Sequence, residues 1–186
     1  MKKTLLSTLF VATSFLPITN AADYVIDTDG AHASINFKIK HLGFSWLTGR
    51  FNKFDGEFSY DDKNISASKI TVNIDTASVD TNHAKRNKHI RTDDFLDVAK
   101  YASAQFVSTK VEDKGDGKLA ISGDLTLHGV TKPLIIDAYK VGEGKDPWGG
   151  YRVGFSGTTT ITMKDFGIDS NFGDITFDLN IEGKRK

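Results

Sequence analysis

The 186-residue chain contains no cysteine, so it forms no disulfide and offers no thiolate to a metal ion. After the N-terminal leader, no apolar run approaches the ~20 residues that a membrane-spanning helix needs. The 24 lysines and arginines are balanced by 24 aspartates and glutamates. Proteins with general nucleic-acid affinity usually carry a clear basic excess. These absences favour a soluble domain that does not span a membrane and does not bind nucleic acid.

Residues 1–21 have the organisation of a secretory signal peptide. Two lysines precede an apolar run from about Thr4 to Ile18, and Ala21 follows at a small-residue cleavage position. Cleavage there removes two of the 24 basic residues, so the expected mature domain, residues 22–186, has 22 basic and 24 acidic residues and a net charge of −2. Export without disulfides is typical of the bacterial periplasm, and we expect that location.

Most of the mature sequence alternates apolar and polar residues, which predicts strands with one buried face. In residues 33–41, for example, Ile35, Phe37 and Ile39 share one face, and polar residues take the other. The remaining strand candidates are residues 54–60, 69–75, 104–112, 118–129, 133–141, 151–164 and 175–181. Turn-forming residues separate them at 61–64, 113–117, 128–133 and 142–150. We expect one all-β domain of about eight or nine antiparallel strands.

Residues 79–96 interrupt this pattern and predict a short helix. Asp80, Thr81 or Asn82 can cap its start, and good helix formers follow. The stretch 82–91, NHAKRNKHIR, contains two histidines and four lysines or arginines without an acid. A helix this polar is not a core helix. We expect it to lie across a surface or an open end of the sheet.

The histidines of this helix do not predict a metal site. His83 and His89 are six residues apart, which places them roughly 240° apart around a helix, and no HExxH pattern is present. Asp80 with His83, or His89 with Asp93, could pair at helical spacing, but a nucleophile and an oxyanion donor remain unidentified. We expect no metal, no cofactor and no catalytic residue. The helix is either a solvated charged surface or a cluster that attracts phosphate, pyrophosphate or carboxylate.

Aromatic residues are abundant, with 13 phenylalanines and two tryptophans. They either fill the core of a sandwich or line a closed eight-stranded sheet, which is wide enough inside to hold one small ligand. Strands of about ten residues span roughly 30 Å, a length that suits a long, thin molecule. Trp46 in GFSWL and Trp148 in DPWGG lie in or near glycine-containing loops. Each tryptophan either flanks an entrance or pins its loop to the barrel.

The stretches HLGFSWLTGRF, SVDTNHAKRNKHIRTDDFLD, GDLTLHGVTKPL and DPWGGYRVGF follow one another along residues 23–186. Together they resemble the YceI-like family of exported bacterial proteins, also called the polyisoprenoid-binding family. The resemblance implies an extended lipocalin-like antiparallel β-barrel of about eight strands, with a short helix between strands and a long apolar tunnel. It also implies binding of isoprenoid lipids, a quinone among them, or of similar long-chain amphiphiles. It implies no established catalysis.

With this resemblance, the inward-facing strand residues become candidates for the tunnel lining. Strand parity assigns that role to Phe37, Ile39, Phe58, Val72, Ile74, Leu125, Leu127 and Phe177. Candidate entrance or head-group contacts are Trp46, Trp148, His83, Arg86, His89 and Arg91. A one-residue error in register would exchange the lining for its outward neighbours. A periplasmic enzyme that acts on a lipid, and an interaction module with a filled core, stay open as alternatives, and the oligomeric state is undetermined.

Overall fold

The computed structural model describes residues 21–169 and 172–186. The expected signal peptide lies outside this part of the chain except for Ala21, and its cleavage stays a prediction. The described residues form eleven strands and one α-helix. Their bounds are β1 Ala22–Ile26, β2 Ser34–His41, β3 Ser45–Phe51, β4 Phe54–Tyr60, β5 Lys69–Asp75, β6 Val79–Asp80, α1 Ala84–Ile90, β7 Ser103–Gly115, β8 Lys118–Leu127, β9 Val130–Lys145, β10 Tyr151–Thr162 and β11 Asp174–Arg185.

Eight of the strands form a closed antiparallel barrel. Their order around the barrel is β1, β4, β5, β7, β8, β9, β10 and β11, and the pairing of β11 with β1 closes the ring. Closure gives each of these strands a paired neighbour on both sides along part of its length. The predicted fold, an antiparallel barrel of about eight strands with a short helix between strands, is confirmed.

Strand β11 divides its pairing between two partners. Residues 183–185 pair with β1, and residues 175–180 pair with β2. Strand β3 pairs with β2, and the two-residue strand β6 pairs with β3. The extra strands therefore lengthen the wall at the end of the barrel where β11 begins.

Each strand candidate from the alternation corresponds to an observed strand. The turns predicted at 128–133 and 142–150 are too long, because β9 covers Val130–Lys145 and takes in much of both. The reversal predicted at 113–117 is present between β7 and β8. Asp116 and Gly117 have φ angles of 53° and 74° there, the left-handed backbone that a tight hairpin turn requires.

Helix α1 begins one residue later than the sequence suggests. Its N-cap is His83, whose Nδ1 accepts a hydrogen bond from the backbone N–H of Arg86 at 3.1 Å. The predicted caps Asp80, Thr81 and Asn82 are therefore wrong. In the described part of the chain, no helix has the length and apolar character needed to span a membrane.

Polar contacts fasten the helix to the segment that precedes it. Asn87 donates from Nδ2 to Asp80 at 2.7 Å, and its Oδ1 accepts from the backbone N–H of Thr81 at 2.8 Å. The hydrogen bond from Asn87 holds the pKa of the Asp80 carboxyl below its usual value. Arg91, just after the helix, donates to two backbone carbonyls within residues 77–79 at 2.7 Å. Because its guanidinium is engaged in this way, Arg91 holds the end of the helix against residues 77–79.

Three phenylalanine rings lie where glycines leave room for them. The pairs are Phe37 at Gly49, Phe106 at Gly123 and Phe58 at Gly183, and in each the ring takes the space of a glycine Cβ. A glycine in a strand permits this close approach of a side chain to the backbone. These large side chains consequently stay near the wall of the barrel.

Gly123→Ala is expected to lower the free energy of unfolding by about 1–3 kcal/mol, as overpacking of a full site does. A Cβ at Gly123 would lie 2.5 Å from Cε2 of the Phe106 ring and 2.6 Å from the carbonyl oxygen of Val107. The carbonyl cannot move without disturbing the pairing of β7 with β8. Urea unfolding measures the change. Gly142→Ala is the matched control, because nothing lies within 4 Å of a Cβ at that strand position, and an equal loss in both variants would contradict the packing argument.

Candidate functional site

The inward faces of the barrel strands enclose a cavity of about 450 Å³. Strand β11 shows how it arises. Ile175, Phe177, Leu179 and Ile181 alternate along the strand and line the cavity, yet each is only partly buried. The walls are therefore apolar while the space between them is not filled by side chains. The volume falls within the ~300–1,000 Å³ range of ligand pockets.

The predicted lining residues all lie on the cavity wall. They are Phe37 and Ile39 of β2, Phe58 of β4, Val72 and Ile74 of β5, Leu125 and Leu127 of β8, and Phe177 of β11. The register thus brings together side chains from five strands that are distant in sequence. Their contact with a ligand stays a prediction.

An aromatic cluster lies at one end of the cavity. Phe155 packs edge-on against Phe58 and Tyr60, with ring centroids 5.8 and 5.1 Å apart, and Phe58 stacks on Tyr24 at 5.0 Å. Phe58, Tyr60 and Tyr24 are buried. Burial raises the pKa of the Tyr60 hydroxyl.

Exposed lining residues mark the place where the cavity meets solvent. They are Lys40, His41, His89 and Phe172. Lys40 and His41 end β2, His89 lies in α1, and Phe172 comes just before β11. In residues 21–169 and 172–186, no exposed lining residue lies at the other end of the barrel. The cavity of the described residues thus has one mouth, at the end where β11 begins.

Helix α1 forms one side of this mouth. Arg86, His89 and Ile90 are three and four residues apart, which places them on one helix face, and all three line the cavity. The guanidinium of Arg86 is held by Thr81. It donates from Nε to Thr81 Oγ1 at 2.8 Å and from Nη2 to the Thr81 carbonyl at 2.7 Å. The helix therefore presents a positioned positive charge at the cavity edge.

The charged and titratable groups at the mouth are basic. They are Lys40, His41, Arg86 and His89. Among the described residues, no carboxylate belongs to the cavity lining. His89 Nε2 lies 3.0 Å from the exposed Asp94 carboxylate, so the pairing of His89 with Asp93 is wrong. A basic mouth above an apolar cavity suits an amphiphile whose head is anionic or accepts hydrogen bonds.

The other predicted entrance residues have different positions. Trp46 is the second residue of β3, is exposed, and borders a shallow depression beside the mouth. Trp148 lies in the turn between β9 and β10 at the opposite end of the barrel, with the Arg152 guanidinium 5.5 Å from its ring centroid. His83 caps α1, Arg91 binds backbone carbonyls, and neither lines the cavity. The sequence shows that a tryptophan lies near a loop, but it does not show whether that loop is at the end of the barrel where the cavity opens.

Asp27, His32 and Glu182 bring potential metal ligands together on the outside of the barrel, with ligand atoms within 4.8 Å of one another. Arg152 Nη1 lies 2.5 Å from Asp27 and 2.6 Å from Glu182. The Arg152 guanidinium pairs with both carboxylates, and the Lys184 ammonium pairs with Asp27 at 3.0 Å, at the position where a cation would bind. The cluster therefore fits an ion-pair network and does not fit a metal.

A closed eight-stranded antiparallel barrel, with an apolar cavity open at one end beneath a short basic helix, defines the class of lipocalin-like barrels. Within that class the chain belongs to the YceI-like family. The family model of the YceI-like domain matches residues 24–184. The resemblance predicted from the sequence is confirmed.

Comparison with individual proteins agrees with this assignment. A UPF0312 protein of Vibrio cholerae is 58% identical over 191 residues, and the match covers 100% of both chains. The crystal structure of a Campylobacter jejuni YceI protein has a TM-score of 0.72 and 32% identity, covering 85% of this chain and 96% of that one. A polyisoprenoid-binding domain from Saccharophagus degradans has a TM-score of 0.65 at 16% identity, covering 89% of this chain and 99% of that one. At that identity the last comparison shows a common fold.

Proposed function

We propose that this protein is a periplasmic binding protein that carries or sequesters an isoprenoid lipid or a similar long-chain amphiphile. The tail lies inside the barrel and the head lies at the mouth. The observation that carries the proposal is the apolar cavity of about 450 Å³, whose exposed lining residues, among residues 21–169 and 172–186, all lie at one end of the barrel. The polyisoprenoid-binding domain of Saccharophagus degradans, which has the same fold, adds support. The N-terminal sequence supports export to the periplasm.

The apolar wall and the basic mouth are expected to contribute very different free energies to ligand binding. Each buried CH₂ contributes ~0.8 kcal/mol, so a tail of ~20 carbons gains on the order of 16 kcal/mol before the costs of binding are subtracted. An exposed charge pair contributes about 0–1 kcal/mol. Affinity therefore comes from the apolar lining, and the basic mouth selects the head group and orients the molecule.

The donors at the mouth fit two kinds of head group. Lys40 and the Arg86 guanidinium both line the cavity edge, and both can pair with a phosphate or pyrophosphate. Quinone carbonyls would accept hydrogen bonds from the same groups. Because the two heads differ in charge, salt should weaken binding of a prenyl phosphate more than binding of a quinone with an equal tail.

Native mass spectrometry of protein isolated from the periplasm, followed by extraction of the bound molecule, tests the proposal. We expect a complex whose extracted component is a long-chain lipid with an isoprenoid or comparable tail. The protein should also take up added geranylgeranyl phosphate and return it chemically unchanged. Isolation without a lipid, together with no uptake of the added one, would contradict the proposal. Conversion of the added lipid to a product would show an enzyme instead.

A further inference from the structure

Large apolar side chains are exposed at the end of the barrel that carries the mouth. Their exposed fractions are 71% for Leu42, 89% for Phe44, 59% for Trp46 and 47% for Phe172. Single exposed apolar residues are ordinary, but several at one place mark an interaction site. We call these four residues, together with Lys38 and Lys40, the docking surface.

The backbone at the tip of this surface argues against a purely structural role. Leu42 lies in the turn between β2 and β3 with a φ of 50°, and the N–H of Phe44 donates to the carbonyl of His41 at 2.9 Å to close the turn. A left-handed backbone favours glycine or asparagine, and a bulky residue there is an outlier. Since Leu42 is also largely exposed, neither the turn nor the core accounts for a leucine at this position.

The docking surface is continuous with the cavity mouth. A shallow depression beside the mouth is bordered by Leu42, Trp46 and Phe172. Lys40 and Phe172 line both this depression and the cavity itself. A molecule held against the exposed aromatic residues would therefore lie directly at the entrance.

Lysines lie on both sides of the apolar residues. Lys38 Nζ lies 5.8 Å from the centroid of the Trp46 ring and 3.9 Å from the Asp178 carboxylate, and Lys40 is exposed beside it. Lys85 and Lys88 are exposed on α1, at the other side of the mouth. Asp174 also borders the depression, and its carboxylate accepts a hydrogen bond from Thr162 at 2.6 Å. Exposed tryptophan, phenylalanine and leucine with lysines around them match the interface of an anionic bilayer, where apolar groups insert and lysines pair with head groups.

We propose that the docking surface binds the surface of an anionic phospholipid bilayer, so that the cavity mouth faces the membrane. This inference rests on the proposed function, because a long apolar tail would otherwise have to cross water between the bilayer and the cavity. Insertion of Leu42 and Phe44 at the interface places the mouth against the lipid and lets the tail pass directly from one apolar environment to the other.

Co-sedimentation with phospholipid vesicles tests the proposal. We expect binding to vesicles of phosphatidylethanolamine and phosphatidylglycerol, with at least tenfold weaker binding to vesicles of phosphatidylcholine alone. The double variant Leu42→Asn/Phe44→Ser should lose at least tenfold in affinity for the anionic vesicles. Asparagine suits the left-handed backbone, so the variant should keep the melting temperature of the wild type. Trp148→Ser is the matched control, since it removes an aromatic residue that is 77% exposed at the opposite end.

Each other outcome decides against one proposal. Equal vesicle binding by the double variant and the wild type would overturn the docking surface. So would a wild-type dimer that binds no vesicles and that the double variant dissociates, because a second copy of this chain would then cover the surface. Uptake of geranylgeranyl phosphate from solution without vesicle binding would overturn docking alone. Vesicle binding that needs the docking surface, in a protein that takes up no lipid, would support docking and overturn the proposed function.

Discussion

Asp27→Ala is expected to lower the free energy of unfolding by about 3 kcal/mol. Asp27 is 2% exposed, and its carboxylate binds the Arg152 guanidinium at 2.5 Å and the Lys184 ammonium at 3.0 Å. These contacts fasten the connection between β1 and β2 to β10 and β11. Removing one partner of a buried ion pair costs roughly 3–5 kcal/mol. The lower end applies because Arg152 keeps Asp146 and Glu182 as partners at 2.9 and 2.6 Å.

The contacts of Asp27 also predict how this effect depends on pH. The hydrogen bond from Arg152 holds the pKa of the Asp27 carboxyl well below its usual value, against the opposing effect of burial, and Lys184 and His32 contribute in the same direction. A carboxyl with a depressed pKa stabilises the folded state above its unfolded pKa of about 3.9 and loses that contribution as the pH falls through the folded pKa. The difference in stability between wild type and Asp27→Asn should be full at pH 7 and shrink below about pH 4.

Urea unfolding at pH 7 and at pH 3 measures both effects. Glu57→Gln is the matched control, because Glu57 pairs with Lys186 at 2.5 Å but the two side chains are 64% and 48% exposed. An exposed pair contributes little to folding, so this variant should unfold like the wild type. A similar loss in Asp27→Ala and Glu57→Gln would contradict the role given to burial. A wild-type advantage over Asp27→Asn that grows at low pH would contradict the direction of the pKa shift.

The double variant Leu125→Trp/Leu179→Trp is expected to weaken binding of geranylgeraniol at least 100-fold. Both leucines are partly buried on the cavity wall, on strands β8 and β11 that do not pair with each other. Two indoles projecting into a cavity of about 450 Å³ leave less room for the tail. Exclusion of about four CH₂ groups at ~0.8 kcal/mol each removes roughly 3 kcal/mol, which is about a 100-fold loss in affinity.

Displacement of a fluorescent fatty-acid probe by geranylgeraniol measures this loss. Ile135→Trp on β9 is the control, because Ile135 is 58% exposed and does not line the cavity. It adds an indole without narrowing the interior. If the double variant binds the prenyl alcohol as well as Ile135→Trp does, the tail does not occupy this cavity.

The strands that the sequence predicts are those with one apolar and one polar face. Strand β2, with Ile35 and Phe37 inward, is an example, because burial of one face imposes the alternation. The sequence does not predict β1, in which the outward-facing Val25 interrupts the alternation, or β3. Strand β3 lacks the alternation altogether. Its residues up to Arg50 are exposed or only partly buried on both faces, and the strand forms by pairing with β2. Strand β6 has two residues, which is too short for any periodic signal.

The candidate site was only partly predictable, because alternation identifies an inward side chain and not the space in front of it. Phe37 stays near the wall because it lies opposite Gly49, a pairing that follows from the register of β2 and β3. A filled core and a hollow barrel share the same sequence pattern. Arg86 and Arg91 look alike in sequence, yet Arg86 borders the cavity and Arg91 binds the backbone carbonyls of Ala77 and Val79. Their roles depend on the rotation of α1 about its own axis, which decides which of its side chains face the cavity.

Ion pairs between distant residues leave no local signal at all. Asp27 and Arg152 are 125 residues apart, and neither stands in a recognisable motif. Their contact depends on the closure that brings β1, β10 and β11 side by side. Sequence patterns between neighbouring residues therefore cannot predict this ion pair.

Among residues 21–169 and 172–186, the exposed residues that line the cavity lie at one end of the barrel, and the rings of Phe58, Tyr60 and Phe155 pack together at the other. On the proposed function, a lipid that enters tail first would leave in the reverse order, so its head group would be the last part to enter and the first to leave. A membrane or protein that receives the lipid would then need to bind only the head group and not the tail inside the cavity. The length of the cavity would also limit the length of tail that binds well, because the additional carbons of a longer tail would remain exposed to water.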